Sequence, residues 1–362
     1  MTTHPAPDSP ARRPQSIIPP YMLEHISEHA DGPVRDSAKK TLEHVRTAMA
    51  MPAKTEEGAI RPLLAVVPPA HVPGVVQRTI YDARHLGTLP GKLARREGQA
   101  APTGSSSYKA TNEAYDYLGA TYDFYWKVFQ RDSLDNKGLA LTASVHYEEN
   151  YPNAYWDGKQ MVFGDGDGKL FNRFTYAIDI VAHELTHGVT ESQNALLYIE
   201  QSGALNESMS DVFGAMVKQY HLQQSVDKAD WIVGAGLLYK GINGKGLRSM
   251  AAPGTAYDDP QLGKDPQPAT MAGFVSARPD NGGVHVNSGI PNHAFYLAAL
   301  ALGGRSWETA GKVWYQTLCD PSLSRTANFD EFAQLTIQHA KSTLGANQAG
   351  LIETAWKTVE VL

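Results

Sequence analysis

His183-Glu184-Leu185-Thr186-His187 sets two imidazoles four residues apart with a carboxylate between them. On a helix that spacing projects both rings from one face, so the pair can reach a single ion. Neutral imidazole suits Zn2+, and the Glu184 carboxylate is placed to take a proton from water activated at such a metal. The chemistry implied is zinc-dependent hydrolysis. The same pattern also arises on amphipathic helices whose histidines are merely solvated or capped, so its surroundings must decide.

A hydrolytic zinc site needs a third protein ligand and one open position. The stretch Gly203-Ala204-Leu205-Asn206-Glu207-Ser208-Met209-Ser210-Asp211 offers two acids one helical turn apart. If it packs beside the first helix, Glu207 completes a His/His/Glu set and Asp211 accepts the free ring N–H of a liganding histidine. The alternative is a solvated acidic face. Against it stand Leu205, Met209, Val212, Phe213 and Met216, which imply a well-buried helix where an unpaired carboxylate would be costly.

These two stretches, followed by Asp280-Asn281-Gly282-Gly283-Val284-His285-Val286-Asn287-Ser288-Gly289, resemble the thermolysin-like neutral metalloproteases. The resemblance runs from about Val75 to the C-terminus and takes in Asn153-Ala154-Tyr155-Trp156, Met161 to Gly168, and Leu247-Arg248-Ser249-Met250. It implies one catalytic Zn2+ held by His183, His187 and Glu207, with Glu184 as general base and Asp211 orienting His183. His285 and Tyr198 match the family's donors to the oxygen that gains negative charge during amide attack, and Asp280 would keep His285 protonated. Asn153 and Ala154 match the segment that pairs with an extended substrate, and Arg248 the group that binds a substrate carbonyl. Phe171, Phe174, Ile180, Val233, Leu237 and Leu247 would line or border the pocket on the leaving-group side, unless they are simple core residues. The activity implied is endopeptidase cleavage before bulky apolar residues.

Relatives with a double calcium site carry acids just before the zinc helix, at the end of the following helix and around the next tryptophan. Asp179 and Asp230 remain here, but Lys218, Ile232 and Ala235 occupy the other matching positions. An ammonium between two aspartates replaces part of a cation's charge, so no double calcium site is expected, with Lys218 as its internal substitute. Lys245 likewise stands where some relatives use an acid. The Gly164-Asp165-Gly166-Asp167-Gly168 run reads as a tight turn with positive φ at glycine.

Residues 1–20 are rich in Pro, Ala and Ser and lack an apolar run of signal-peptide length. Ile17-Ile18-Pro19-Pro20-Tyr21-Met22-Leu23 follows, then helical spacing at Ala38, Leu42, Val45 and Met49. This unit resembles the short propeptide of protealysin-like enzymes. Residues 1–50 are therefore expected to be an inhibitory propeptide whose extended prolines occupy the cleft without offering a cleavable bond. Residues 51–74, with five prolines, read as a linker where maturation cleavage falls, before Met51 or Ile60 if the enzyme cuts itself. The family resemblance implies a secreted protein without a recognisable signal peptide; a cytoplasmic location is the alternative.

The expected fold is α+β and two-lobed: a β-rich N-terminal catalytic lobe over 75–195 that includes the zinc helix, and an α-helical lobe over 196–362. Strand character runs over Val75 to Asp82, Leu139 to Tyr147 and Met161 to Gly164, with an amphipathic helix around Thr111 to Phe129. Helical spacing dominates later, at Ala294 to Leu302, Ala310 to Leu318, Phe329 to His339 and Leu351 to Val359. A net charge of −6 gives no electrostatic case for nucleic acid or an anionic membrane. The single cysteine, Cys319, excludes an intramolecular disulfide and reads as structural. The partners expected are peptide substrates and the chain's own propeptide, in a monomer. Two rival functions remain open at this point, a zinc aminopeptidase and a non-catalytic metal-stabilised binding protein.

Overall fold

The computed structural model describes residues 15–50, 71–193, 196–276 and 280–362. Within them a six-stranded mixed sheet runs in the order β1-β5-β6-β4-β2-β3. Its strands are β1 (Gln15–Ser16), β2 (Arg78–Asp82), β3 (Lys92–Arg96), β4 (Leu141–Val145), β5 (Ala154–Trp156) and β6 (Met161–Phe163). The β2–β4 and β4–β6 pairs are parallel and the rest antiparallel. Between β3 and β4 lies an α-helix, Tyr108–Phe129, which buries Ala110, Ala114, Leu118, Tyr122 and Tyr125 at helical spacing and ends on left-handed Gln130.

The N-terminal segment contributes the edge strand β1 and two helices, α1 (Pro20–His29) and α2 (Gly32–Ala50); in chain order the Tyr108–Phe129 helix is then α3. Among the described residues the cleft is occupied by the extended stretch that leads into Pro19, itself extended (φ −72°, ψ 155°), while the prolines before Gln15 lie outside the described residues. Pro20 is the first residue of α1, where a missing N–H and a fixed φ favour a helix start, and the extended stretch is Gln15–Ile18. Of the expected linker, 51–70 lies outside the described residues, and with it the Met51 and Ile60 bonds.

The zinc-motif helix α4 (Ile178–Gln193) follows the sheet and packs along α5 (Glu200–Leu222). Every residue from Ser202 to Gln219 is buried, so α5 is a central helix and Glu207 and Asp211 have no solvent-facing side. Gly214 permits this packing: a Cβ there would lie 2.6 Å from the Asp179 carbonyl oxygen on α4. Two short antiparallel pairs follow, β7 (Ile232–Val233) with β8 (Arg248–Ser249) and β9 (Asp258–Asp259) with β10 (Gly263–Lys264). The rest is helical: α6 (Asp280–Asn287), α7 (Gly289–Leu302), α8 (Ala310–Leu318), α9 (Phe329–Thr343) and α10 (Ala346–Thr358). A sheet-bearing N-terminal region and a helical C-terminal domain thus meet at α4 and α5, an α+β arrangement. Among the described residues no helix is long and apolar enough to cross a membrane.

Candidate active site

α4 and α5 face each other with His183, His187 and Glu207 all fully buried, and their ligating atoms lie within 4.8 Å of one another. His183 Nδ1–H donates to Asp211 Oδ1 at 2.9 Å, and His187 Nδ1–H donates to Asn206 Oδ1 at 2.8 Å. With both Nδ1 protons so placed, the two Nε2 atoms carry lone pairs, yet they stand 3.1 Å apart. Glu207 Oε2 is 3.5 Å from His183 Nε2, Glu207 Oε1 is 3.6 Å from His187 Nε2, and Oε2 has no hydrogen-bond partner. Lone pairs and a carboxylate converging in a dry interior repel one another unless a cation joins them, so this donor set fits Zn2+.

Burial pulls the His187 ring down to about 3 against the opposing pull of Glu207, which keeps it neutral as a ligand must be. Burial would raise Glu207, but the charges around it, His285 foremost, hold it below its ordinary value. Glu184, also fully buried, makes no well-formed hydrogen bond at either oxygen, the Trp156 backbone being the nearest donor to act on it. Desolvation first and the Glu207 charge second raise its pKa well above the usual carboxylate range, which makes it a stronger base once ionised.

α6 carries His285 just after a non-helical turn at its start. Asp280 to Gly283 all have positive φ, and at Gly282 (φ 90°) a Cβ would meet Glu200 Cγ at 2.8 Å, so glycine alone fits. This turn brings Asp280 back onto the ring five residues on: Oδ1 accepts from Nδ1 at 2.5 Å and Oδ2 from the His285 backbone N–H at 3.0 Å. Burial would depress the ring's pKa, but Asp280 and Glu207 outweigh it and hold His285 up at about 9. Its Nε2 lies 3.1 Å from the Tyr198 hydroxyl, which donates a short hydrogen bond to Glu207 Oε1. Both expected donors therefore border the His/His/Glu cluster.

Asn153, Ala154 and Arg248 flank the same cleft, and the N-terminal segment lies on all three. Ile17 N–H donates to Ala154 O at 3.1 Å and Ile18 N–H to Asn153 Oδ1 at 3.0 Å, while Asn153 Nδ2–H returns to Ile18 O at 3.3 Å. Arg248 Nη1–H reaches Ile17 O at 3.3 Å, and His285 Nε2–H donates to Ser16 O at 2.9 Å. The side chains of Phe171, Phe174, Ile180, Val233, Leu237 and Leu247 belong to the buried apolar cluster that contains Ile17.

Three connections were not visible in sequence. Asp211 accepts Arg248 Nε and Nη2, each at 2.7 Å, and Asn292 Nδ2 at 2.8 Å, besides His183. Asn206 fixes His187, and its only sequence signal was adjacency to Glu207. Asn292, on α7, carried none.

Away from the cleft, Lys218 Nζ lies 2.9 Å from Asp179 Oδ2 and 2.8 Å from Asp230 Oδ1, and donates to Ile232 O at 2.5 Å. Burial would lower its pKa, but the two aspartates raise it above the ordinary lysine value. The glycine-rich run forms the expected turn: Gly166 and Gly168 have positive φ, and Asp167 Oδ1 accepts three successive backbone N–H groups. Cys319 sits half-buried at the end of α8, its thiol pKa raised by burial, which disfavours the thiolate.

Family models match in three consecutive blocks. The protealysin propeptide covers residues 15–57, the catalytic domain of thermolysin metallopeptidase covers 75–191, and its alpha-helical domain covers 194–361. An extracellular metalloprotease of Pectobacterium carotovorum subsp. carotovorum is 55% identical over 347 residues, 96% of each chain. A thermolysin of Alicyclobacillus acidocaldarius is 37% identical over 292 residues, 78% of this chain and 50% of that one. Among solved structures, the precursor of protealysin, a metalloproteinase from Serratia proteamaculans, superposes with a TM-score of 0.86 at 56% identity, covering 96% of this chain and 100% of the other.

Proposed function

The chain belongs to the thermolysin metallopeptidases and is a metalloendopeptidase carrying a protealysin-type propeptide, and on that premise we propose the residue roles by which it cuts peptides. His183, His187 and Glu207 hold the zinc ion. When bound there, zinc supplies a Lewis acid that polarises the substrate carbonyl and acidifies water at the site. Glu184 takes a proton from the attacking water and passes it to the leaving nitrogen. His285, kept protonated by Asp280, and Tyr198 donate to the carbonyl oxygen as charge builds on it. Asn153 and Ala154 hold the backbone on the leaving-group side, Arg248 holds the next carbonyl, and Asp211 orients both His183 and Arg248. A pocket bordered by Phe171, Phe174, Ile180, Val233, Leu237 and Leu247 favours a bulky apolar residue after the scissile bond.

The observation that carries this reading is the 3.1 Å approach of the two imidazole Nε2 atoms beside two carboxylates with unbonded oxygens. An end-blocked, internally quenched peptide tests it. Cleavage abolished by chelation and by Glu184→Ala supports the assignment; cleavage only of unblocked peptides would mean an aminopeptidase, and none after processing a binding protein.

Three further assignments accompany it. Residues 1–50 act as a removable intramolecular inhibitor, with 51–74 as linker and the catalytic lobes spanning 75–195 and 196–362. Lys218 replaces the double calcium site between Asp179 and Asp230, so exhaustive dialysis should leave no stoichiometric calcium. The mature protein acts as a monomer outside the cell, as its extracellular relatives suggest.

A further inference from the structure

We infer that the Ser16–Ile17 bond of the prosegment is itself the first bond this site cuts, and that the chain from Ile17 onward then stays in the cleft as an inhibitory product. The inference rests on the endopeptidase reading above and concerns which bond is presented. Ser16 O is the carbonyl oxygen that receives the His285 Nε2–H donor, at 2.9 Å. The nitrogen beyond it, Ile17 N, is held by Ala154 O at 3.1 Å, and Arg248 holds the following carbonyl, Ile17 O. The residue after the bond is therefore Ile17, apolar and fully buried, as the pocket requires. The prosegment runs through the cleft in the direction of a substrate.

Its register is locked. Sliding by one residue to present Ile17–Ile18 would put Pro19, which has no N–H, where Ile18 donates to Asn153 Oδ1 at 3.0 Å. Sliding the other way would put Ser16 into the apolar pocket in place of Ile17. Neither proline occupies the point of attack, so the bond offered is an ordinary one.

Hydrolysis adds one water. Its oxygen joins the Ser16 carbonyl carbon, the C–N bond breaks, and both protons end on the Ile17 nitrogen, leaving a carboxylate and an α-ammonium. The cut removes the β1–β5 pairing and the His285 contact, both made by Gln15 and Ser16. It leaves the contacts from Asn153 and Arg248 to Ile17 and Ile18, the burial of both isoleucines, and all of α1 and α2. The first cleavage therefore does not activate the enzyme.

The test follows the full zinc-loaded chain by intact mass and N-terminal sequencing while assaying an end-blocked quenched peptide. Expected is a species beginning at Ile17, formed at a rate unchanged by dilution, with peptide cleavage still suppressed. Ile17→Gly, which empties the pocket, should slow that cut about 100-fold. In zinc-loaded Glu184→Ala, where nothing is cut, the Ile17 and Ile18 amides should be protected from hydrogen exchange. Exchange at free-peptide rates, or persistence of Met1 in a preparation that becomes active after trypsin opens the linker, overturns the inference. Appearance of activity in step with the Ile17 species overturns the retained-inhibitor half. If trypsin yields no activity, the endopeptidase reading itself has failed.

Discussion

Asp211 and Arg248 form a buried bidentate ion pair, and the same carboxylate also accepts from His183, so the proposed metal ligand and the proposed substrate-carbonyl donor share one anion. The guanidinium's positive charge keeps Asp211 ionised in spite of its burial. Removing that charge with Asp211→Asn strands Arg248 in the interior. A broken buried pair costs about 3–5 kcal/mol, and loss of a ligand's orienting partner weakens metal binding by about 10- to 100-fold. Thermal midpoint and competition with a chromogenic chelator measure the two effects. Unchanged zinc affinity in a folded variant would show that Asp211 serves Arg248 alone.

His285 is expected to act on the transition state more than on the bound substrate, because its donor is aimed at the carbonyl oxygen. In processed enzyme, His285→Phe should lower kcat by about 100- to 1000-fold with little change in KM. A rise in KM at constant kcat would instead make His285 a substrate-binding group.

The lysine between Asp179 and Asp230 makes a charge swap informative. Lys218→Asp brings three carboxylates together without a counter-ion, so the variant should melt well below the parent in calcium-free buffer and recover as calcium is added. The parent's midpoint should not respond to calcium. A calcium-dependent parent would mean that the ion binds elsewhere.

How far the sequence carried these conclusions depended on how local each signal was. The ligands lie on two helices with strong spacing, so His183, His187, Glu207 and Asp211 could be placed by periodicity before any coordinates. Asp280 and His285 were legible through the family resemblance of the Asp280–Gly289 run, whose glycines also mark a turn that folds one back on the other. β1 was not: a strand of two residues has no period, and its identity is set by the edge of β5 that it meets. Pro20 misled for a related reason, since it suits a helix's first turn as well as an extended chain, whereas Pro19 is extended as expected. Asn292 acts across 81 residues of chain, and nothing near it in sequence announces that.

A pH dependence of stability is expected from His146, which touches none of the catalytic groups named above. Its ring lies 2.6 Å from Asp165 Oδ2 through Nδ1 and 2.8 Å from Ser107 O through Nε2, two acceptors that the protonated ring serves with both nitrogens. Burial lowers its pKa, but the hydrogen bond and charge of Asp165 prevail and lift it above the ordinary 6.5. A raised folded value means the contribution is complete below about 6.5 and fades as pH rises through that value. The midpoint gap between parent and His146→Phe should therefore narrow from about pH 6 to pH 9. A constant gap would point to packing instead of charge.

The prosegment is clamped to the catalytic part at more points than the cleft. His25 on α1 lies 3.1 Å from Pro260 O beside β9, while on α2 Ser37 donates to Asn150 O at 2.5 Å and Lys40 pairs with Glu148 at 3.4 Å. One short unit thus bridges the helical part and the sheet-bearing part, and release requires α1 and α2 to leave together. Leu23, fully buried on α1, is the position from which to loosen the unit without touching the cleft residues. Leu23→Asp places an unpaired carboxylate there, at a cost of several kcal/mol to docking. Activity on the quenched peptide should then appear at least about tenfold sooner, with zinc content unchanged. If the lag persists, the contacts of Ile17 and Ile18 with Asn153 and Arg248 hold the prosegment by themselves.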